Sequence, residues 1–249
     1  MNQELAKTQS GALAVPDHLK DVHSRAGFEN VTRDDVVLPR LSICQAMSPQ
    51  RKKANPNFIE GLSDGDLFNT VSGQVYGTSV MLIPMLFTKS RIYFRSLAEG
   101  GGILCQSFNG VDGGAIAPIC AACPNSQFEA NGQAPACSLF MNYPVVVLPQ
   151  RELAVLSMKS TGLKVAKQWN SRMKLIGDKP MFAGVYKLVV VEQSSTKGNF
   201  FSPTISFNRF VDADEFQFVT ELFTNLKGQT IRAHDEGLDK DAQDDNIPF

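Results

Sequence analysis

Four cysteines, Cys105, Cys120, Cys123 and Cys137, stand with fourteen, two and thirteen residues between successive members, in a stretch that has little else to fold around. Gly101, Gly102, Gly110, Gly113, Gly114, Pro118, Pro124, Gly132 and Pro135 crowd the same segment and leave too few large apolar side chains for an independent core. A segment of this composition needs a staple. A Cys-x-x-Cys turn offers two thiolates from one knuckle, and a tetrahedral zinc site takes two more from separate strands or loops. The spacing reads as a four-cysteine zinc site, to which the ion would contribute roughly 10–16 kcal/mol of apparent binding energy. Four thiolates leave zinc no open position for water, so the metal would be structural. A disulfide pair, a redox Cys-x-x-Cys and unconnected thiols are the competing readings, and a cytoplasmic location argues against stable disulfides. Cys44 is the residue that would replace Cys105 as fourth ligand, yet it lies in an apolar strand pattern, where a buried thiol is the commoner role.

The rest of the chain alternates as strands do. Apolar patterns bounded by Gly and Pro predict strands over 36–44, 67–71, 80–87, 92–96, 143–148, 153–157, 181–192 and 200–207. Two helices interrupt them. Over 161–176, Leu163, Ala166, Trp169, Met173 and Ile176 share one arc, with Lys164, Lys167, Ser171 and Lys174 on the other side. Over 212–226, Asp212 with Glu215 three residues on forms a capping-box start, Phe216, Val219, Phe223 and Leu226 form the stripe, and Gly228 closes the helix. The expected organisation is a loose N-terminal arm over 1–30, a core over 31–230 carrying the zinc-binding insertion at 101–140, and a disordered acidic tail over 231–249.

Charge divides along the same lines. From His234 onward six carboxylates face Lys240 alone, a net of −5, which against −1 overall leaves residues 1–233 at +4. Between Arg40 and Lys174 thirteen Lys or Arg face seven Asp or Glu, a balance that suggests a polyanionic partner. Single-stranded nucleic acid is held by cations that track phosphates and rings that stack on bases. On a strand, Phe87, Lys89, Arg91, Tyr93 and Arg95 line one side and supply both; Tyr93 is the strongest stacking candidate. Phe108, Lys159, Lys164 and Lys167 extend the candidate surface, while Trp169, on the apolar arc, reads as packing. No apolar run is long enough for a membrane span, and the N-terminus lacks a signal-peptide order, so a cytoplasmic protein in a bacterial host cell is expected.

The last six residues, Asp244, Asp245, Asn246, Ile247, Pro248 and Phe249, closely resemble the C-terminal tip of bacterial single-stranded-DNA-binding proteins, Asp-Asp-Asp-Ile-Pro-Phe, and differ only at the third position. The resemblance implies that Asp244, Asp245, Ile247, Pro248 and Phe249 dock host or phage replication and repair proteins. With the basic β-rich body and the cysteine insertion, the chain resembles phage single-stranded-DNA-binding proteins. That implies a β-rich α+β fold: an OB-fold-like barrel with an inserted zinc-binding module and flanking helices. T4-type helix-destabilising proteins also carry zinc in such a barrel, with a His among the ligands; here His18, His23 and His234 all lie outside the cluster. The expected activity is non-enzymatic: binding and protecting single-stranded DNA during phage replication, recombination or repair. A zinc-ribbon transcription or replication adaptor is the alternative, and a nuclease is disfavoured because no phosphate loop, central His or compact carboxylate cluster is present.

Overall fold

The run Tyr143-Pro144-Val145-Val146-Val147 has no polar face, and the computed structural model shows why: both faces of its strand are covered. Residue 18 and the segments 26–31, 38–195 and 198–228 are described. Most of the expected N-terminal arm, and the acidic tail with its Ile247-Pro248-Phe249 tip, lie outside the described residues. Among the described residues there are ten strands, β1 (Leu41–Ile43), β2 (Leu67–Asn69), β3 (Val75–Gly77), β4 (Ser79–Pro84), β5 (Thr88–Phe94), β6 (Ile103–Ser107), β7 (Cys137–Leu148), β8 (Glu152–Met158), β9 (Gly184–Ser195) and β10 (Gly198–Phe210), and two helices, α1 (Gly162–Leu175) and α2 (Ala213–Leu226). The chain is thus a β-rich α+β protein with antiparallel sheets.

β7 organises the larger sheet. Its first half pairs with β5 and its last four residues with β4, so β4 and β5 together follow a single edge of β7, while β8 takes the other edge. Between them the register slips by one residue, from Pro84 opposite Val145 to Thr88 opposite Asn142. Pro144 sits at this slip. It has no N–H to donate, and its carbonyl accepts from Met85 N–H at 2.8 Å, so a proline is tolerated in a central strand where its neighbour breaks. β9 adds to β4, β10 to β9 and β6 to β5.

Alternation along β7 then splits the apolar side chains between two cores. Met141, Tyr143, Val145 and Val147 join Leu82, Tyr186, Leu188 and Ile205 against α1, which contributes Ala166, Trp169 and Met173. Trp169 is a packing residue, with its ring 4.6 Å from Tyr143 and 5.5 Å from Tyr186. Val146 faces the other way and packs with Ile83, Met85, Phe182 and Val185 against Val219 and Leu226 of α2. The expected stripe of α2 is met by Val219, Phe223 and Leu226, whereas Phe216 is exposed and touches the edge of the core at Phe182, 5.9 Å ring to ring.

The smaller sheet, in the order β1-β2-β3, meets the larger one at two joints. Arg40 forms a parallel bridge with Val155 of β8. Gln45, just past β1, reaches β10: its Nε2 donates to the Phe201 carbonyl at 2.8 Å and its Oε1 accepts from Phe201 N–H at 2.9 Å. The outer edge of β10 is blunted from Phe201 to Ile205, because Pro203, two residues on, has no N–H and the Arg172 guanidinium donates to the Ile205 carbonyl. The strand ladders do not close. The larger sheet runs β10-β9-β4-β7-β5-β6 as an open path, so the expected β-rich architecture is present without a barrel closed by hydrogen-bonded strands.

A charged cap anchors α2. Asp212 accepts from Glu215 N–H at 2.8 Å and Glu215 accepts from Asp212 N–H at 3.0 Å, completing the capping box. The nearly buried Glu215 carboxylate also takes both guanidinium nitrogens of Arg209 at 2.7 Å, which holds its pKa below the usual carboxylate range. A lowered folded-state pKa stabilises the fold above the unfolded value, and that contribution disappears as pH falls through the folded value. Glu215→Gln, which keeps the capping geometry and loses the ion pair with Arg209, is therefore expected to cost about 1 kcal/mol at neutral pH. Urea melts should show the gap between wild type and variant closing on acidification below the carboxylate range; a gap independent of pH would contradict the assignment.

Candidate metal centre and nucleic-acid interface

The four cysteines of the quartet arrive from three places and line one small cavity. β6 carries Cys105 and β7 begins at Cys137, each paired in register with Tyr93 of β5, so both thiols project from the same row of the sheet. A helical turn at Cys120–Ala122 brings the other two, with Cys123 N–H donating to the Cys120 carbonyl at 3.2 Å. Cys105, Cys120, Cys123 and Cys137 share the cavity with Arg91, Ser107, Gly113, Gly114, Ala117 and Ser126.

Local backbone chemistry folds the loop that closes the cavity. Asn109 Oδ1 accepts from Val111 and Asp112 N–H at 2.9 and 2.8 Å, an Asx turn that launches the excursion from β6. Asp112 and Ile119 pair across the hairpin that follows. The Ser126 hydroxyl sits against the carbonyls of Cys120 and Cys123 at 2.5 and 2.9 Å and braces the knuckle. Glycines are required by contact here. A Cβ on Gly113 would lie 1.7 Å from the Ala117 carbonyl oxygen, and one on Gly114 2.6 Å from that of Gln106 and 2.9 Å from Cys105 Sγ. The glycine density that signals a weak core in the sequence is thus what lets the backbone wrap the thiols.

No disulfide joins any of the five cysteines. Burial pushes the Cys137 thiol up to about 11, with nearby Arg91 pulling the other way and Cys120 and Cys105 adding to the rise. Among the described residues no three His, Cys, Asp or Glu are set as a ready metal-ligand group, so the quartet shares a cavity without yet converging on a point. The donor set suits a thiophilic tetrahedral ion: four sulfurs, with no carboxylate or imidazole among the lining residues. Cys44 stands apart. It is fully buried with Leu62 and Phe68 beside the smaller sheet, and burial raises its thiol to about 11, so its role is packing.

The candidate nucleic-acid residues do not form one surface. Phe87 packs on Tyr143 at 5.2 Å and belongs with the α1 core. Lys89 is exposed, its Nζ 6.0 Å from the Phe87 ring centre, and Tyr93 is half-buried between the two cysteine strands. Arg91 points into the thiol cavity and its Nη1 donates to the Ser126 carbonyl at 3.4 Å. Arg95 is exposed just past β5. Phe108 is 40% exposed in the turn after β6, and two residues on, a Cβ on Gly110 would lie 3.0 Å from that of Lys89, so this turn folds against Lys89. Lys159 lies elsewhere: its Nζ is 5.9 Å from the Phe140 ring, and Phe140 faces opposite to Met141, the register partner of Lys89. Lys164 and Lys167 are exposed on α1.

Several exposed rings escape a reading by periodicity. Phe128, 72% exposed, sits in the cysteine loop, where a large apolar residue among Gly and Pro was itself the available signal. Phe207 and Phe210 are exposed at the end of β10, 5.2 Å apart edge to face, with Phe207 against Tyr186 at 5.7 Å. A β-bulge between Phe207 and Arg209 shifts the register at this end of the strand, and sequence alternation cannot reveal it.

Open antiparallel sheets with a helix on each face and a cavity lined by four thiols define the class: a β-rich α+β protein with a cysteine-bearing loop. Residues 7–232 match the family model described as Pam3 phage gp34-like protein, and the chain belongs to that family. No curated protein and no solved structure matches the chain. Among the described residues no helix is long and apolar enough to cross a membrane.

On the zinc reading of the quartet, Cys123→Ser should release the metal from the purified chain while Cys44→Ser keeps it. Elemental analysis of zinc per chain checks this, and the reverse pattern would overturn the ligand assignment.

Proposed function

We propose that this chain binds and protects single-stranded DNA during phage replication, recombination or repair, without catalysing a reaction. A structural zinc ion on Cys105, Cys120, Cys123 and Cys137 orders the loop beside the binding surface. The observation that carries the reading is the folding of the turn from Phe108 to Gly110 against Lys89, because it brings the backbone of a segment bearing a 40% exposed ring against the base of an exposed cation. On this reading Tyr93, half-buried on β5, and Arg95, exposed just past its end, would add a ring and a cation to the contact. Stacking contributes about 1–3 kcal/mol per base with little regard to base identity, and cations supply the salt-dependent remainder. Lys159 on the opposite face, and Lys164 and Lys167 on α1, would serve a strand that wraps around the sheet rather than crossing one groove.

Membership of a phage family agrees with this role, which the host cytoplasm would house. An OB-fold-like barrel is part of the same reading; the Arg40 bridge to Val155 and the Gln45 clasp on Phe201 favour it by drawing the two sheets together. The acidic tip Asp244, Asp245, Ile247, Pro248 and Phe249 then brings replication and repair proteins to the coated strand, by its resemblance to single-stranded-DNA-binding protein tips.

Fluorescence anisotropy of labelled oligo-dT against a matched duplex, over a salt series, tests the proposal. The expected result is a clear single-strand preference with affinity falling as salt rises, and a slope shallower by about 0.7 in Lys89→Gln. Equal or stronger binding to duplex would favour the zinc-ribbon adaptor instead.

A further inference from the structure

We propose that Arg91 belongs to the metal centre and not to the DNA surface: its guanidinium offsets the negative charge of four thiolates around the ion and ties the cysteine knuckle to β5. The inference rests on the zinc reading of the quartet. Strand alternation groups Arg91 with Lys89 and Tyr93, yet among the residues lining the thiol cavity Arg91 is the one cation. Its Nη1 donates to the Ser126 carbonyl, and the Ser126 hydroxyl in turn sits on the carbonyls of Cys120 and Cys123. A chain of polar contacts therefore runs from the middle of β5 to both knuckle ligands. Across the sheet, Tyr93, two residues along the same face, pairs with Cys105 and Cys137, and Arg91 lines the one cavity that all four cysteines share.

Charge arithmetic gives this placement its purpose. Four thiolates around a divalent ion carry a net −2, and a partly buried dianion with no neighbouring cation is costly. Residues that orient or neutralise metal ligands without touching the metal typically govern 10–100-fold of its affinity. Neither a carboxylate nor a second cation lines the cavity, so no other side chain there can supply or cancel the compensation. Lys89, whose neighbouring turn leaves it exposed, remains the outer cation of the strand.

Arg91→Gln, Arg91→Lys and Lys89→Gln in the full-length chain separate the roles, with zinc transfer to a chromophoric chelator and the salt dependence of oligo-dT binding as paired readouts. Arg91→Gln should weaken zinc retention by about 10–100-fold and leave the salt slope at its wild-type value, with Arg91→Lys retaining more zinc than Arg91→Gln. Lys89→Gln should lower the slope by about 0.7 and hold zinc as the wild type does. A thermal melt of each zinc-loaded variant checks that the sheet is intact. Arg91→Gln that holds zinc normally but loses salt slope would make Arg91 a phosphate contact and overturn the inference, as would equal zinc loss in Arg91→Lys and Arg91→Gln. A wild-type chain that carries no zinc defeats the zinc reading itself, and this inference with it, a result distinct from either variant outcome.

Discussion

Hydrogen bonding on both edges and burial on both faces of the strand from Cys137 to Leu148 is the constraint from which the other elements take their positions. Its C-terminal half needs two apolar layers, which α1 and α2 provide on opposite sides. Its edges need partners over twelve residues, so β4 and β5 line up along one side and β8 along the other. The same strand begins with a cysteine. The cavity is thereby built onto the end of the most firmly held element of the fold, and a metal bound there would inherit its rigidity.

The two ends of β7 are stabilised by different physics. Toward Leu148, apolar area leaves water, and rings such as Trp169, Tyr143 and Tyr186 fill the space. Toward Cys137 the neighbouring loop is short of large buried side chains and exposes Val111, Ile116, Ile119 and Phe128 instead. Asx turns, a short hairpin and the Ser126 brace order its backbone locally, but such contacts are individually worth about 1 kcal/mol. A shared metal ion acts on a larger scale, which is why the composition of the loop and the four thiols lining one cavity lead to the same proposal.

Much of the fold was legible because its signals are local. The helix starting at Asp212 was fixed by a capping box that the structure contains, and the arc of Ala166, Trp169 and Met173 is the buried face of α1. What alternation missed depends on register between distant segments. The region expected as a strand over 181–192 begins with a helical turn at Met181–Ala183, because Pro180 and the tight contact of Gly184 with the Tyr186 ring redirect the chain before β9 starts. The break of β4 from β5 follows from Pro144, sixty residues from Pro84. The cysteine spacing announced the quartet, yet nothing local distinguished Arg91, which turns to the thiols, from Lys89, which stays exposed. Lys159 looked like part of the same basic surface, and only the pairing of β7 with β5 and β8 places it on the far face.

The account turns on the claim that four sulfurs of one chain enclose one ion. X-ray absorption at the zinc edge of the purified full-length protein reads that coordination shell directly. The account predicts four sulfur neighbours at about 2.3 Å with no nitrogen or oxygen in the shell. A shell containing nitrogen or oxygen ligands, or protein that binds no zinc while its loop remains folded, would contradict it.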